Sequence, residues 1–441
     1  MEPVKHPPLT NRLLAPLIIL ILACNVLAWS QQESPLYSFR LSGNDGLDPI
    51  AGLVSDNLGN LYGTTPWGGI YHDGTIFELS PPSGEGALWS EAILSNFTGG
   101  TDGSNPSSPV ILDSLGNLYG TTSSGGLTGV GCSSTGCGVV FDLSPPSRQG
   151  GSWTYTVLYR FSSPGPYYPI GGMVLDETGN LYGTTKSGGA AGAGTVFELS
   201  PPVATGGAWT EKVIHSFAGG SDGSAPQSGV TLGKNHVLYG TTQAGGSSNN
   251  GTVFQLSPPS KPRAQWTKTT LYSFLGGNDG SGVDAGVVLD PQGNLYGTTV
   301  QGGGPAGVGT VFQLLRPPVQ GGSWTEVILY AFQSDIGATP YDTPVLDHAG
   351  NLYGTTYQGG PHNKETVFKL TPPAEKGEAW TFTTLHDFNG GGKSVNEGAF
   401  PFASLLAGAD GSLYGTTSEG GTGSCQTDVY YGCGTVFRIA P

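Results

Sequence analysis

Apolar and β-branched residues occur in short runs separated by glycine, proline, asparagine and aspartate, and the same order of runs recurs seven times. One complete unit spans residues 286–332, with runs at 286–290, 294–299, 309–314 and 324–332. Such runs bounded by turn residues predict β-strands, and four of them joined by short loops predict an antiparallel meander. The third run is apolar on both faces, which is typical of a sheet covered on each side.

The string Leu-Tyr-Gly-Thr-Thr marks every unit and begins at residues 61, 118, 181, 238, 295, 352 and 413. Spacings of 57 to 63 residues indicate modules that bury their apolar surfaces against one another. The fourth run begins with tryptophan in six units, but the last unit lacks this run. A matching segment, residues 36–39, stands alone before the first unit. Because pairing of this segment with the last unit would close a ring, we predict an all-β, seven-bladed β-propeller of four-stranded antiparallel blades.

A four-stranded meander places two sets of loops on the same rim, namely those after Thr-Thr and those that lead into the next unit. Sequence variation between the units is concentrated in these loops. Binding groups are usually carried on loops held by a rigid scaffold, so we expect a ligand at this rim. The candidate ligand-binding residues are Trp67, Tyr71, His72, Tyr167, Tyr168, Tyr341 and Tyr357.

Residues that every unit requires are better explained by packing than by function. The recurring tyrosine, phenylalanine and tryptophan can each bury a large apolar area between blades. The recurring aspartate, three positions before the glycine of Gly-Asn, can hydrogen-bond its own turn. There is no Gly-x-Ser-x-Gly nucleophile elbow, His-Glu-x-x-His pair or phosphate loop, and the sequence assigns no catalytic residue.

The composition narrows the choice of partners. The chain has 441 residues, of which 75 are glycine and 33 proline, and these lie at fixed offsets beside aromatic residues, as turn residues do. Only 11% of the residues are charged and the formal net charge is −15. An acidic chain of this kind is a poor partner for nucleic acid or anionic lipid. We expect a monomer that binds neither.

The first 30 residues have the pattern of a secretory signal peptide. Lys5 and Arg12 precede an apolar run over residues 13–23, and small residues follow it. We therefore predict a single propeller domain over residues 31–441 and a secreted protein, extracellular or periplasmic, with no transmembrane segment in the mature chain. A competing interpretation is a lipobox that ends at Cys24, through which the protein would be lipid-anchored.

The remaining cysteines fit an oxidising compartment. Cys132 and Cys137 lie in one loop, just before the third run of their unit, and Cys425 and Cys433 lie at the equivalent position of the last unit. We therefore predict two local disulfides, Cys132–Cys137 and Cys425–Cys433. No cofactor is expected. Structural calcium remains an alternative because aspartates recur in the glycine-rich rim loops. Those aspartates are Asp45, Asp48, Asp102, Asp222, Asp279, Asp284 and Asp335.

The strings Asp-x-x-Gly-Asn-Leu-Tyr-Gly-Thr-Thr and Gly-Thr-Val-Phe-Glu-Leu-Ser-Pro-Pro resemble those of the choice-of-anchor tandem repeat GloVer-containing proteins, a secreted bacterial group. The resemblance covers about residues 35–441. Such proteins often end in an anchoring segment, and without one the resemblance implies free secretion or attachment through Cys24. The first string also resembles NHL-type propeller repeats. Neither resemblance supplies catalytic residues, so function has to be argued from a site.

These observations favour a secreted, non-enzymatic binding or scaffold module that contacts a glycan, peptide or surface protein through the variable rim. The alternative is a propeller hydrolase or lyase that acts on a sugar or lactone, with a metal held by rim aspartates at the mouth of the central channel. A third hypothesis is a lectin with repeated sites between blades.

Overall fold

Seven four-stranded antiparallel sheets form the blades of a β-propeller. The computed structural model describes residues 33–440, apart from residues 42, 85, 130–131, 133, 149, 205, 262–263, 320, 360–364, 376, 389–396 and 426–431. The predicted signal peptide and Cys24 lie outside the described residues. Within them, no helix has the length and apolar character needed to span a membrane.

Each of blades 1 to 6 is built from four consecutive strands, and the bounds below run from blade 1 to blade 7. The inner strands are Val54–Ser55, Ile111–Leu112, Val174–Leu175, Thr231–Leu232, Val288–Leu289, Val345–Leu346 and Leu406–Ala407. The second strands are Leu61–Thr65, Leu118–Thr122, Leu181–Thr185, Leu238–Thr242, Leu295–Thr299, Leu352–Thr356 and Leu413–Thr417. The third strands are Thr75–Ser80, Val139–Ser144, Thr195–Ser200, Thr252–Ser257, Thr310–Leu315, Thr366–Thr371 and Thr435–Ile439. The outer strands are Ser90–Asn96, Thr154–Arg160, Thr210–Ser216, Thr267–Ser273, Thr325–Ala331, Thr381–Asp387 and Glu33–Ser38.

Short elements also form in the loops between the blade strands. Two-stranded ribbons pair Gly46–Leu47 with Trp67–Gly68, and Gly398–Ala399 with Glu419–Gly420. Short 3-10 turns are formed by Gly220–Asp222, Lys234–His236 and Gly277–Asp279.

The N-terminal strand closes the ring, as the sequence predicts. Glu33–Ser38 is the outer strand of blade 7 and runs antiparallel to Thr435–Ile439. Hydrogen bonds also link the loops of blades 5, 6 and 7 along the channel, where Gly286 N–H donates to Thr343 Oγ1 at 2.8 Å and Thr343 N–H donates to Ser404 Oγ at 3.1 Å. The predicted seven-bladed architecture is confirmed.

Phenylalanine side chains join neighbouring blades. At each of the seven interfaces, the phenylalanine that follows an outer strand meets the phenylalanine in the third strand of the next blade, edge to face, with ring centroids 5.1–5.5 Å apart. All these rings are at most 1% exposed. Edge-to-face geometry suits the quadrupole of the rings and adds to the effect of apolar burial. The pairs are Phe97–Phe141, Phe161–Phe197, Phe217–Phe254, Phe274–Phe312, Phe332–Phe368, Phe388–Phe437 and Phe39–Phe77.

Leu-Tyr-Gly-Thr-Thr has a structural role at each position. In blade 1, Leu61 is buried and the Tyr62 hydroxyl donates to the turn carboxylate of Asp56 at 3.2 Å. The Thr64 hydroxyl donates to the Ser108 carbonyl of the next blade at 3.1 Å, and Thr65 Oγ1 lies 2.8 Å from Thr75 Oγ1. The string therefore fixes the turn, the blade and the contact with the next blade.

The glycine of the string makes room for the core phenylalanine. Gly240 lies opposite Phe254 in the antiparallel register, and a Cβ on Gly240 would lie 2.5 Å from Phe254 Cζ. The other six blades show the same approach, at 2.4–2.7 Å. Any side chain at this position would displace the ring from the interface between blades.

We expect Gly240→Ala to lower the free energy of unfolding by roughly 1–3 kcal/mol, because the added methyl group overpacks a closely packed core. Urea unfolding followed by tryptophan fluorescence measures the change. Gly84→Ala is the control, since Gly84 has no positive φ and a Cβ there meets nothing within 4 Å. Equal stability of the two variants would contradict this account of the glycine.

Both predicted disulfides are present. Cys132 is bonded to Cys137 and Cys425 to Cys433, with Cα–Cα distances of 5.1 Å in each pair. Both bridges lie in rim loops and fit a protein that folds in an oxidising compartment.

Candidate functional site

The loops that connect each outer strand to the next inner strand have the same conformation at the channel mouth. In all seven, one residue adopts φ between 53° and 67°, which non-glycine residues rarely do. Backbone bonds on two sides hold it: in blade 6, Thr339 N–H donates to Val308, and the Thr339 carbonyl accepts from Tyr357 N–H. The left-handed residues are Asp48, Asn105, Tyr168, Ala225, Gly282, Thr339 and Phe400.

The residue two positions later lines a cavity at the channel mouth in six of the seven loops. Because the backbone is the same in every loop, the seven side chains form a ring whose chemistry differs from blade to blade. The ring consists of Ile50, Ser107, Ile170, Gln227, Asp284, Tyr341 and Phe402. Five of these residues (Ile50, Gln227, Asp284, Tyr341 and Phe402) line a cavity of about 340 Å³. A second cavity of about 280 Å³ continues along the channel past Gly172, Gly229 and Gly286.

Four aromatic rings cluster on one side of the mouth. Tyr357 packs against Phe402 with ring centroids 4.5 Å apart and against Phe400 at 5.0 Å. Tyr341 lies 5.6 Å from Tyr357 and 5.9 Å from Phe402. All four side chains are half-buried, so each packs in the cluster and still presents part of its surface. The cluster is a rigid apolar wall that belongs to blades 6 and 7.

A carboxyl group lies beside this wall. Asp284 Oδ1 is buried and has no hydrogen-bond partner among the described residues. Burial raises the pKa of Asp284, against the opposing influence of Gln243 and the Lys186 ammonium. Burial also raises the pKa of Tyr341, and the Asp284 charge adds to that rise. An acceptor with unused capacity therefore borders the aromatic cluster.

Asp342 is a second unusual carboxyl group in the channel wall. It is 3% exposed and stands where sister blades have alanine, serine or glycine. Its Oδ2 accepts from Thr355 N–H at 3.1 Å, while Oδ1 has no partner among the described residues. Burial raises its pKa well above the ordinary value, against the opposing hydrogen bond from Thr355.

The structure separates the residues predicted to bind a ligand. Tyr341 and Tyr357 meet in the aromatic cluster. Trp67 and Tyr71 are 52% and 54% exposed on an outer loop of blade 1, with His72 beside them, and none of these three lines the mouth cavity.

Tyr167 and Tyr168 border the Cys132–Cys137 loop. Tyr167 packs against the core cluster that contains Cys137, and Tyr168 N–H donates to the Cys137 carbonyl at 3.1 Å. Sequence reasoning missed Phe400, Phe402 and Gln227, and considered Asp284 only as a calcium ligand. A signal was available in the sequence. When the seven loops are aligned, Gln227, Asp284 and Phe402 occupy the same position, two residues after the left-handed residue.

Most of the aspartates proposed as calcium ligands fold their own loops. Asp45 accepts from the backbone N–H of Arg40, and Asp222 accepts from that of Ala218 at 2.8 Å. Asp102 and Asp279 accept in the same way from Thr98 and Leu275. Structural calcium stays a prediction.

Three ionisable side chains lie within mutual metal-binding reach at the outer edge of blades 6 and 7, and they are the single such group among the described residues. His386 Nε2 is 2.7 Å from Glu397 Oε1 and 3.9 Å from Glu33 Oε2. Burial raises the pKa of Glu33 to about 7. Since this group is remote from the channel mouth, it does not provide the metal centre hypothesised there.

The position that the His386 group occupies between blades 6 and 7 is also polar at other interfaces between blades. Between blades 3 and 4, Asp222 lies 3.1 Å from His215 Nε2 and 3.0 Å from Lys268 Nζ. Elsewhere a second carboxyl replaces the lysine, as Glu91 does beside Asp45. These groups are variants of one interface position.

The sequence matches the Gloeobacter/Verrucomicrobia repeat over residues 27–254, 131–317 and 263–441. The chain belongs to the Gloeobacter/Verrucomicrobia repeat family. This finding confirms the resemblance to GloVer-repeat proteins. No curated protein sequence matches the chain.

Solved structures with similar folds are distant in sequence from this family member. An extracellular domain assigned to a one-component system of B. thetaiotaomicron is 13% identical over 93% of this chain and 42% of that chain, with a TM-score of 0.50. A chain of the mitotic checkpoint complex is 13% identical over 98% and 100%, with a TM-score of 0.50. PorZ, a surface component of the type-IX secretion system of Porphyromonas gingivalis, is 13% identical over 86% and 46%, with a TM-score of 0.48. Enzymes occur among the similar structures too. At these identities the likeness concerns the fold alone.

Proposed function

We propose that this repeat protein is a secreted, non-enzymatic binding module that holds a neutral glycan at the channel mouth. The observation that carries the proposal is the aromatic cluster of Tyr341, Tyr357, Phe400 and Phe402 beside the unpartnered Asp284 oxygen. Sugars present an apolar C–H face that packs on aromatic rings, and hydroxyl groups that donate to carboxylates and amides. Concave sites with apolar walls and a few placed polar groups are typical of ligand binding.

The charge at the mouth favours a neutral ligand over an acidic one. Asp284 lies in the cavity wall, and a carboxylated ligand there would have to overcome repulsion by its charge. Peptides and surface proteins remain outcomes of the experiment. The basic signal-peptide pattern and the two disulfides support secretion.

An enzymatic role has less support. Hydrolysis of a sugar or lactone needs a nucleophile or metal placed together with an acid or base. At the mouth, the described residues offer Asp284 together with the enclosed Asp342, and no set of three metal ligands. The site therefore has the character of a binding surface.

Tyr357→Ala is expected to weaken glycan binding about 10-fold or more, because it removes the central ring of the cluster. A panel of neutral oligosaccharides on an array finds the ligand, and calorimetry measures its Kd. Trp67→Ala is the matched control, since it removes an exposed rim aromatic outside the mouth, and it should bind as the wild type does. Asp284→Asn tests the polar half of the site.

Two results would overturn the proposal. One is identical array profiles for the wild type and Tyr357→Ala. The other is turnover of a bound sugar or lactone that Asp284→Asn abolishes, which would make the protein an enzyme.

A further inference from the structure

A large groove opens between blades 4 and 5 on the rim opposite the channel-mouth cluster. Its volume is about 1320 Å³, above the range of roughly 300–1,000 Å³ typical of small-molecule sites. It is bordered by the turn before the second strand of blade 4, the corresponding turn of blade 5, and the Pro317–Pro318 loop. The size suits several sugar rings in a row.

Two departures from the repeat coincide at this groove. Blade 5 reads Leu314-Leu-Arg-Pro-Pro where blades 1 to 4 read Leu-Ser-Pro-Pro and blade 6 reads Leu-Thr-Pro-Pro, so Arg316 is an added residue. A Cβ on Gly293 would lie 3.1 Å from the Arg316 guanidinium, and in blade 1 the same glycine position faces only a proline ring. The insertion therefore places a guanidinium against the wall of the groove.

The second departure frees a hydroxyl group. In five blades the tyrosine of Leu-Tyr-Gly-Thr-Thr donates to the turn aspartate, at 3.1–3.2 Å. Blade 4 has Gly233 in place of that aspartate. Within the described residues, Tyr239 Oη accordingly has no hydrogen-bond partner, and Tyr239 lines the groove.

The groove concentrates positive charge in an acidic protein. The chain has 17 lysines and arginines against 32 aspartates and glutamates, yet Arg316 and Lys234 both line this groove. Both are exposed, and neither has an ion-pair partner in the described part of the chain. The carboxylate in the lining, Asp290, is held by Asn294 and by the Tyr296 hydroxyl. The two cations are therefore available to an external anion.

Aromatic and hydroxyl groups complete the lining. Trp324 and Tyr239 border the groove and pack against the same core cluster, so their positions are fixed. Thr269, Thr270 and Gln255 add donors and acceptors. Rings beside hydroxyl and amide groups suit a sugar, and a guanidinium with an ammonium suits a carboxylate.

We propose that the groove between blades 4 and 5 binds an acidic oligosaccharide whose uronate carboxyl groups pair with Arg316 and Lys234 while its sugar rings pack on Tyr239 and Trp324. This site is separate from the channel mouth and does not depend on the function proposed there. The two sites differ in charge, so they select different sugars.

Calorimetry with oligogalacturonate tests the proposal, with the corresponding neutral galactose oligomer as a second ligand. Arg316→Gln is expected to weaken oligogalacturonate binding about 10-fold. Arg148→Gln is the matched control, because Arg148 is exposed in the equivalent Pro-Pro loop of blade 2, and it should leave the Kd unchanged. Tyr357→Ala at the channel mouth should also leave it unchanged, which separates the two sites.

Several outcomes would overturn the proposal. They are no oligogalacturonate binding at millimolar concentration, equal binding of the neutral oligomer, and equal losses in the Arg316→Gln and Arg148→Gln proteins. Binding of an acidic peptide such as oligoglutamate in preference to the uronate would reject the sugar assignment as well. Circular dichroism of each variant confirms that a loss of binding is not a loss of fold.

Discussion

Phe39→Ala is expected to lower the free energy of unfolding by about 3–5 kcal/mol, because it empties a fully buried site. Phe39 is 0% exposed and meets Phe77 edge to face at 5.2 Å, across the junction between the last blade and the first. Its N–H donates to the Gly434 carbonyl at 3.0 Å. Urea unfolding gives the size of the loss.

Phe217→Ala distinguishes loss of packing from loss of ring closure. Phe217 has the same position between blades 3 and 4, is equally buried, and meets Phe254 at 5.2 Å. Both variants should lose similar packing energy. Only Phe39→Ala should speed hydrogen exchange in Glu33–Ser38 and Thr435–Ile439, because that strand pair holds the ring closed. A loss below about 1 kcal/mol, or equal exchange in both proteins, would contradict this role.

The double variant Glu91→Gln with Glu326→Gln is expected to stabilise the protein at pH 8 and to change it little at pH 5. Burial raises the pKa of each carboxyl to about 7, and the neighbouring carboxyl of Asp45 or Asp279 adds to the rise. In each glutamate Oε1 is buried and lacks a partner among the described residues. At pH 8 each site therefore holds a buried charge that the folded state disfavours.

The direction follows from proton linkage. The pKa of each carboxyl is higher in the folded state, at about 7, than its ordinary value of 4.5, so its favourable contribution to stability is complete below pH 4.5. It is lost as the pH rises through 7. The glutamine amide stays neutral, so each substitution should contribute roughly 1–2 kcal/mol at pH 8, allowing for partial exposure.

Thermal unfolding at pH 5 and pH 8 measures the effect. Glu375→Gln is the control, because Glu375 is an exposed carboxyl in the Pro-Pro loop of blade 6. It should show no such difference between the two pH values. The explanation fails if the double variant gains the same stability at both.

The fold was predictable because every blade repeats the same physical requirements. Leucine, glycine and phenylalanine recur at fixed offsets, and the isolated segment at residues 36–39 identifies how the ring closes. The two disulfides were predictable because both cysteine pairs lie within single loops.

The site was harder to predict because it depends on where the side chains of the rim loops point, and not only on which residue types these loops contain. Trp67 and Tyr341 both lie in variable rim loops, yet one side chain faces outward and the other lines the channel mouth. The difference arises from a left-handed backbone residue two positions before Tyr341, and single-residue propensities do not reveal it. Phe402 was missed for the same reason.

Ring closure by the N-terminal strand also sets the order of folding. Glu33 pairs with Ile439, so the strand made first finds its partner only after almost the whole chain is available. Loop closure over such a distance is slow compared with the formation of local meanders. Until it occurs, blade 7 exposes the edge of Thr435–Ile439 to other chains, so the interval before closure is when aggregation is most probable. A propeller that closes in this way therefore completes its last blade only after its first strand has stayed unpaired through the synthesis of all the others.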